Sequence, residues 1–387
     1  MKKFKNPGDI RLGIIAGGQL GKMLIQAASK WDITCYVLDK DANCCSSSIC
    51  KNFYCGDPDN FEDVYNFGKK VDILTYEIEH INTDALKKLK NEGLPIYPDP
   101  GILAIIQDKG QQKAFFKDHY IPTANFRLYC NKEDILKDIA SKELIFPFIQ
   151  KLRRGGYDGR AVISVDKEEK LSDLFDGPTV VEKKIDIKKE LSIIASRNSS
   201  GQILSFPAVE MVFNSNANIL DSLISPADIQ SKIEIKAKKI AHSLIELLDV
   251  EGLLAVEFLL DKNDNLFVNE VAPRPHNSGH HTIEANLTSQ FEQHLRAILN
   301  LPPGNTKIKS PAVMFNLLGE ENFAGPAVYE GFREALELDR VYIHIYGKKE
   351  TFPYRKMGHI TVLSDTIEDA TQKAIKLKKL IRVKSKQ

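Results

Sequence analysis

Two acidic side chains stand in neighbouring apolar runs of the sequence. Glu257 lies in Leu253 to Leu260, Glu270 lies in Leu266 to Val271, and the turn Asp261 to Asn265 joins the two runs. A β-hairpin would bring both carboxylates together inside an apolar sheet, where unpaired charge is strongly unfavourable. Magnesium, which carboxylates share with nucleotide phosphates, is the natural compensation. The pattern predicts a magnesium and nucleotide site, although each Glu could instead pair with a nearby Lys or Arg.

A glycine-rich basic loop is a second candidate for chemistry. It runs from Lys151 to Arg160 and places three glycines among its cations. Glycine permits a close approach of the backbone and the cations neutralise anionic oxygens, so the loop is predicted to close over phosphate groups. A surface hairpin turn is the alternative. The Gly, Lys and Ser or Thr pattern of a Walker loop is absent from the sequence, which excludes the commonest ATP-binding fold.

A stiff polar segment follows Glu270 directly. Two prolines restrain Val271 to His281, which presents Arg, His, Asn and Ser side chains beside the predicted metal. Such a density of hydrogen-bonding groups in a connection usually carries function. A zinc site built from His276, His280 and His281 is an alternative, although no carboxylate or cysteine completes it at helical spacing.

The elements that position these groups begin with a strand and helix pattern. Leu12 to Ala16 predicts a strand, Gly21 to Lys30 its helix and Ile33 to Leu38 a second strand, as in a parallel sheet with crossover helices. The amides of the connecting Ala16 to Gly21 can face a phosphate at the helix N-terminus. A nicotinamide site, another phosphate site and a tight turn all remain open, the first because Asp39 stands where a ribose-binding acid is expected.

An acidic residue follows the next predicted strand, Val71 to Tyr76. Ligands of such sheets bind beyond the carboxyl ends of the strands, so Glu77 is predicted to face a ligand. Much later in the chain, Lys348 and Arg355 flank a possible hairpin, where both could point at one anion. A solvated basic turn is the simpler interpretation of this last pair when it is taken alone.

Composition narrows the class of protein. The 53 Lys and Arg residues and 52 Asp and Glu residues leave a net charge of +1, which argues against nucleic acid as a general partner. With 43% hydrophobic and 27% charged residues the chain reads as globular. Since we see neither a signal peptide nor an apolar run of the ~18 residues that a membrane span needs, we expect a cytoplasmic protein without membrane partners. Four of the six cysteines crowd Cys44 to Cys55 without a zinc spacing and are expected to be structural thiols.

Two clusters of proline and glycine divide the chain into three parts. Tyr97 to Gly101 and Leu301 to Gly304 cannot continue a helix or a central strand. We place domain boundaries just beyond them, which gives units at residues 1–108, 109–301 and 302–387. The first unit is predicted as α/β, the second as α+β.

Taken together and in this order, the segments resemble the ATP-dependent 5-(carboxyamino)imidazole ribonucleotide synthases, a branch of the ATP-grasp superfamily. The resemblance runs from about Leu12 to Leu363. Its most specific pieces are Gly17 to Gly21, Arg154 to Arg160, Asn269 to His280, Thr288 to His294 and Arg355 to His359.

The resemblance implies an ATP-grasp fold and a homodimer. Residues 1–108 would form a Rossmann-like pre-ATP-grasp domain that binds ribonucleotide. Residues 109–301 would form the ATP-grasp domain, with a small subdomain at about 113–185, and residues 302–387 a small β-rich C-terminal domain.

The resemblance also implies which residues hold ATP and Mg²⁺. Magnesium would bind Glu257 and Glu270. The residues implied for ATP are Lys109, Lys151, Gly156, Tyr157, Asp158, Gly159, Arg160, Glu182, Lys183, Lys184, Ile185, Glu190, Asn269 and Glu270.

By the same resemblance, bicarbonate attacks the γ-phosphate of ATP to give carboxyphosphate, which carboxylates the amine of aminoimidazole ribonucleotide in purine biosynthesis. The implied catalytic residues are Tyr157, Asp158, Arg160, Arg274, Lys348 and Arg355. The implied ribonucleotide-binding residues are Gln19, Leu20, Glu77, His276 and Asn277.

Two positions depart from the family pattern. Ala161 replaces a glycine that usually continues the basic loop, and Phe213 replaces a histidine that many members carry in the nucleotide region. A nearby alternative is another ATP-grasp ligase, of the formate-dependent glycinamide ribonucleotide transformylase or biotin carboxylase type. A nicotinamide oxidoreductase built on the first domain is an alternative from a different class.

Overall fold

A five-stranded parallel sheet forms the first part of the chain. The computed structural model describes residues 6–155, 161–213 and 220–386, and the sheet has the strand order β3-β2-β1-β4-β5. Its strands are β1 (Arg11–Ile15), β2 (Thr34–Asp39), β3 (Asn52–Cys55), β4 (Ile73–Tyr76) and β5 (Ile96–Tyr97). Its helices are α1 (Gln19–Ser29), α2 (Phe61–Gly68), α3 (Thr83–Asn91) and α4 (Pro100–Ile106). The predicted parallel sheet is confirmed.

A small antiparallel sheet follows helix α5 (Lys109–Asp118). It has the strand order β6-β9-β7-β8 and carries one helix on its face. Its elements are β6 (Phe126–Tyr129), α6 (Lys132–Ala140), β7 (Phe148–Leu152), β8 (Val162–Val165) and β9 (Thr179–Lys183). Apolar side chains such as Ile135 and Phe148 form a core of its own, so this sheet packs as a separate unit.

The middle of the chain continues into a large antiparallel sheet. Its strands here are β10 (Ile187–Arg197), β11 (Ile203–Ser205), β12 (Val209–Phe213), β13 (Leu220–Ser225), β14 (Gly252–Asp261) and β15 (Leu266–Ala272). The helices are α7 (Ser231–Leu247), α8 (Thr282–Ala285) and α9 (Gln290–Ile298). Helix α7 buries its apolar face, including Ala237, Ala241 and Leu244, against β10 and β14. This packing holds the β14–β15 hairpin in place, and the predicted hairpin is confirmed.

The last part of the chain adds strands to the same sheet. Its elements are β16 (Ala312–Leu318), β17 (Gly325–Glu330), α10 (Phe332–Leu336), β18 (Val341–Ile345), β19 (Glu350–Thr351), β20 (Lys356–Leu363), α11 (Ile367–Leu380) and β21 (Arg382–Ser385). The large sheet runs β15-β14-β10-β12-β13-β16-β20-β18, with β11 beside β10, so it crosses the predicted boundary at residue 301. Strands β19, β17 and β21 form a separate small sheet. Within the described residues, no helix is long and apolar enough to cross a membrane.

Buried histidines join the three parts of the chain. His294 of α9 shares a hydrogen bond of 2.8 Å with Thr75 of β4. His280 stacks on His359 of β20, with ring centroids 4.7 Å apart, and His359 stacks on His344 of β18. Burial lowers the pKa of His294 to about 3 and also lowers the pKa of His280 and His359. The rings of His280, His294 and His359 are therefore neutral parts of the domain interfaces.

The neutral histidines predict an acid-sensitive fold. An unfolded chain protonates His at a pKa near 6.5, so it binds more protons than the folded chain between pH ~6.5 and the lowered value. The free energy of unfolding should therefore fall as the pH drops through this window. His294→Gln should reduce that slope by up to ~1.4 kcal/mol per pH unit. Denaturant unfolding at several pH values measures the slope, and exposed His119→Gln should leave it unchanged. An unchanged slope in His294→Gln would contradict the buried neutral state.

Candidate active site

The two carboxylates of the β14–β15 hairpin face each other across the strands. Glu257 and Glu270 are direct cross-strand partners. Burial raises the pKa of Glu257, and repulsion from Glu270 raises it further. Lys109 Nζ lies 2.8 Å from Glu270 Oε2 and lowers the pKa of Glu270. The predicted pairing of the two carboxylates is confirmed. The alternative, in which a glutamate pairs with a nearby Lys or Arg, is also observed, because Glu270 forms an ion pair with Lys109.

The groups around this pair suit a hard divalent cation. The carboxylate oxygens of Glu257 and Glu270 and the amide oxygen of Asn269 are the ligand type that Mg²⁺ prefers, with phosphates completing the shell. A cation would also relieve the repulsion that raises the pKa of Glu257. Across residues 6–155, 161–213 and 220–386, no cluster of three or more His, Cys, Asp or Glu side chains is arranged to hold a metal ion. The zinc alternative built on His276, His280 and His281 thus has no support.

A chain of buried charges links the small sheet to the carboxylate pair. Lys151 of β7 lies 2.9 Å from Asn269 Oδ1 and 3.0 Å from Glu182 Oε2. Lys113 of α5 lies 3.0 Å from Glu182 Oε1 on the other side. The structure therefore brings Lys151, Glu182 and Asn269 together, as the nucleotide assignment requires. Sequence reasoning missed Lys113, although it follows Lys109 by one helical turn and so shares its face.

The remaining residues predicted to bind the nucleotide lie beside this row of buried charges. Burial raises the pKa of Glu190, on β10, to about 7, and its charge also acts on Glu257. A cavity of about 350 Å³ is lined by Asn125, Lys183, Lys184, Ile185 and Phe267 among others. Lys184 pairs with Asp166 at 2.6 Å.

Part of the predicted phosphate loop, which runs from Lys151 to Arg160, falls outside the described part of the chain. Gly156, Tyr157, Asp158, Gly159 and Arg160 lie outside the described residues. The two positions that depart from the family pattern are described. Ala161 is buried and its carbonyl accepts a hydrogen bond from Leu152 N. Phe213 packs against the apolar cluster of β12 and β13.

Two carboxylates accept hydrogen bonds from backbone amides of the first-domain loop, the connection from Ala16 to Gly21. Gly17 N donates to Asp39 Oδ2 at 2.7 Å, and Gly18 N donates to Glu77 Oε1. A Cβ atom at Gly18 would lie 2.5 Å from Glu77 Oε1, so a larger residue here would displace the Glu77 carboxylate. Because Asp39 holds the loop itself, the predicted ribose role of this residue in a nicotinamide site loses support.

The ribonucleotide candidates surround this loop. Burial raises the pKa of Glu77 to about 7, and the charge of Arg274 opposes that shift. Gln19 begins α1 beside the loop, whereas the side chain of Leu20 is buried in an apolar cluster, so only its backbone is left to contact a ligand. Arg274 is held by Glu79 at 2.9 Å.

His276 and Asn277 lie between the two halves of the site. His276 Nε2 is 3.3 Å from Glu257 Oε1, which connects this segment to the carboxylate pair. Asn277 Oδ1 is buried and has no hydrogen-bond partner in the described part of the chain. An uncompensated buried acceptor of this kind suits a ligand that donates a hydrogen bond.

The basic residues of the last domain lie on the connection between β18 and β20. These strands pair with each other, so Lys348 and Arg355 flank a longer excursion rather than a tight hairpin. Burial lowers the pKa of Lys348, whose Nζ donates to the carbonyl of Lys356 at 2.8 Å. The charge of Lys348 also acts on Glu77 across the domain boundary.

A lysine that sequence reasoning did not select holds this connection. Lys22 Nζ of α1 donates to the carbonyls of Ile345 and Tyr346, at 3.0 and 3.1 Å. These contacts fix the residues that lead into Lys348 against α1, the helix that follows the first-domain loop. No local sequence signal links Lys22 to a segment so distant in the chain.

Family models cover most of the chain. A ribonucleotide synthetase preATP-grasp domain matches residues 10–107, an ATP-grasp domain matches residues 114–291, and a phosphoribosylaminoimidazole carboxylase C-terminal domain matches residues 312–373.

Relatives and solved structures agree with these models. N5-carboxyaminoimidazole ribonucleotide synthase of Staphylococcus aureus is 37% identical over 93% of this chain and 94% of its own length. The crystal structure of the Thermotoga maritima synthetase is 42% identical, with a TM-score of 0.89 over 97% of this chain and 100% of that one. An Aspergillus clavatus synthase in complex with ADP and 5-aminoimidazole ribonucleotide is 32% identical, with a TM-score of 0.87 over 96% and 98% of the two chains.

The fold and the site define an ATP-grasp protein, with the carboxylate pair at the edge of its large sheet and a small second sheet beside it. Within that class, the chain belongs to the N5-carboxyaminoimidazole ribonucleotide synthase family. The predicted family and fold class are confirmed. The chain spans only 65% of the length of the phosphoribosylaminoimidazole carboxylase of Vigna aconitifolia, to which it is 38% identical over 93% of its own length.

Proposed function

We propose that this chain is a ligase that carboxylates the amine of 5-aminoimidazole ribonucleotide with bicarbonate and ATP. The products are 5-(carboxyamino)imidazole ribonucleotide, ADP and phosphate, in purine biosynthesis. The observation that carries the proposal is the pairing of Glu257 with Glu270 beside Lys109, with His276 joining the pair to the first-domain side of the cleft.

The nucleotide half of the site supplies charge and position. Lys109 and Lys151 stand at the carboxylate pair, where they would contact phosphate oxygens, and Glu190 would hold the ribose. Glu182 to Ile185 would contact the adenine edge. A magnesium ion bound by Glu257 and Glu270 would neutralise the oxygens of the transferring phosphoryl group. Phosphoryl transfer needs little covalent participation by protein groups, so these residues suffice.

The reaction would proceed in two steps. A bicarbonate oxygen attacks the γ-phosphorus, the bond to the β-phosphate oxygen breaks, and carboxyphosphate and ADP form. The ribonucleotide amine then takes the carboxyl group, phosphate leaves, and the amine loses one proton. Arg274, Lys348 and Arg355 would stabilise the anions of both steps. The Gly156 to Arg160 loop would exclude water, which otherwise hydrolyses carboxyphosphate.

The ribonucleotide would lie along the first-domain loop. One side of the ribonucleotide would contact Gln19, the backbone of Leu20 and Glu77. The other side would contact His276 and Asn277. The buried acceptor of Asn277 supports this placement. The Aspergillus clavatus protein, which carries ADP and 5-aminoimidazole ribonucleotide together, supports a site for both molecules. A homodimer, which the family resemblance implies, and a cytoplasmic location, which the sequence patterns predict, complete the proposal.

The decisive assay follows label from bicarbonate into the imidazole product. ADP should form only when ATP, magnesium and bicarbonate are all present, and aminoimidazole ribonucleotide should accelerate its formation. Acceleration by formate with glycinamide ribonucleotide, or by biotin, would assign a different ATP-grasp ligase. Tight binding of NADH, measured by fluorescence, would favour the nicotinamide alternative.

Lys22 gives a prediction about the domain interface. Lys22→Met removes two charged hydrogen bonds to the connection that carries Lys348, so the KM for the ribonucleotide should rise about tenfold. The KM for ATP should change little, because Lys22 contacts none of the described nucleotide residues. Lys30→Met, at the exposed end of the same helix, is the matched control. A larger change in the KM for ATP would contradict this role.

A further inference from the structure

Three side chains form a hydrogen-bonded line that starts on β10 and ends at His276, whose ring contacts the carboxylate pair. Ser192 Oγ lies 2.8 Å from Ser278 Oγ, and Ser278 Oγ lies 2.8 Å from His276 Nδ1. His276 Nε2 then lies 3.3 Å from Glu257 Oε1. Ser192 and Ser278 are almost fully buried, so neither hydroxyl can satisfy itself with solvent.

The backbone sets the direction of every hydrogen bond in this line. Ser278 N donates to His276 Nδ1 at 3.3 Å, and a backbone amide can only donate. Nδ1 is therefore an acceptor, and the imidazole proton lies on Nε2, which faces Glu257 Oε1 at 3.3 Å. Since Ser278 Oγ also donates to Nδ1, its own acceptor position receives the proton of Ser192. This set of directions gives a hydrogen-bond partner to the hydroxyls of Ser192 and Ser278 and to Nδ1 of His276.

We infer that Ser278 and Ser192 are positioning residues that, together with the backbone amide of Ser278, hold the ring of His276 in this tautomer. Through that ring they direct one N–H at Glu257 Oε1 and hold the imidazole between the carboxylate pair and the first-domain loop. Oriented partners behind ligating groups typically matter by 10–100-fold. The kinetic consequence rests on the proposed function, because it takes His276 as a ribonucleotide contact.

The tautomer itself can be tested without turnover. Nitrogen NMR of the full chain with ¹⁵N-labelled histidine should show His276 with an unprotonated Nδ1 and a protonated Nε2, and His276→Gln assigns the signals. Ser278→Ala removes the 2.8 Å hydroxyl donor and leaves only the longer backbone donor on Nδ1, so the signals should move part of the way toward a mixture of tautomers. Ser192→Ala should shift them in the same direction by less. A wild-type His276 protonated on Nδ1, or signals that neither variant moves, would overturn the inference.

Kinetics then separate positioning from general damage. Ser278→Ala should raise the KM for the ribonucleotide by about tenfold, with the KM for ATP little changed. Ser196→Ala is a matched control, because Ser196 is equally buried on β10 but bonds to Gln293. If Ser196→Ala causes the same change as Ser278→Ala, the effect is structural and the inference fails. A chain with another substrate would fail the labelled-bicarbonate assay while the tautomer result stood, so the two failures are distinguishable.

Discussion

Glu270→Gln should lower the rate of carboxylation on the order of 10³-fold while the chain remains folded. Glutamine keeps the shape of the side chain but removes the charge that faces Glu257 and Lys109. Two effects on stability oppose each other, because Lys109 loses its partner and Glu257 loses a repelling neighbour. The midpoint of denaturant unfolding should therefore stay close to that of the unmodified chain.

The measurement is the rate of ADP release and of label transfer at saturating magnesium. Glu246→Gln, on the exposed face of α7, is the control and should leave both rates unchanged. A Glu270→Gln chain that keeps ATP-dependent carboxylation would remove the carboxylate pair from the mechanism. If Glu270→Gln lost both activity and folding, Glu257→Gln would separate the two effects, because it removes one carboxylate of the pair and leaves the ion pair of Lys109 with Glu270 intact.

Arg355→Ala should reduce carboxylation about 10²-fold and leave nucleotide binding nearly unchanged. Arg355 Nη1 donates to the carbonyl of Glu350, and its guanidinium packs over the Phe352 ring with 5.0 Å to the centroid. These contacts hold the cation on the connection that carries Lys348, in a different domain from Lys109 and Lys151. Under the proposed function, the variant would remove charge from the bicarbonate and ribonucleotide side of the site.

Calorimetric titration with ADP and the label-transfer assay measure the two quantities separately. Arg340→Ala is the control, since Arg340 forms a surface pair with Asp365 in the same domain. Equal losses of nucleotide binding and carboxylation would place Arg355 on the nucleotide side and contradict this assignment.

Local patterns predicted the parts of the site that depend on neighbouring elements. The turn of residues 261–265 joins two apolar runs, so the pairing of Glu257 with Glu270 follows from the hairpin alone. The parallel sheet placed Glu77 at the end of β4 for the same kind of reason. Short-range geometry leaves few alternatives in such cases.

Contacts between distant segments could not be predicted in this way. Lys22 reaches carbonyls more than three hundred positions away, and the pairing of β13 with β16 joins two predicted domains. Nothing in the local sequence selects such partners, because the choice depends on how complete domains pack. The buried Lys113 was missed for a related reason, since its partner Glu182 comes from the small sheet.

The continuity of the large sheet means that the last part of the chain is not a detachable module. A protein ended at residue 301 would leave the backbone groups of β13 unpaired along an apolar edge, which invites aggregation. Strands on both sides of residue 301 are hydrogen-bonded into one sheet, whereas the four-stranded sheet has a separate core. Truncated versions of this protein should therefore keep the strands that follow residue 301.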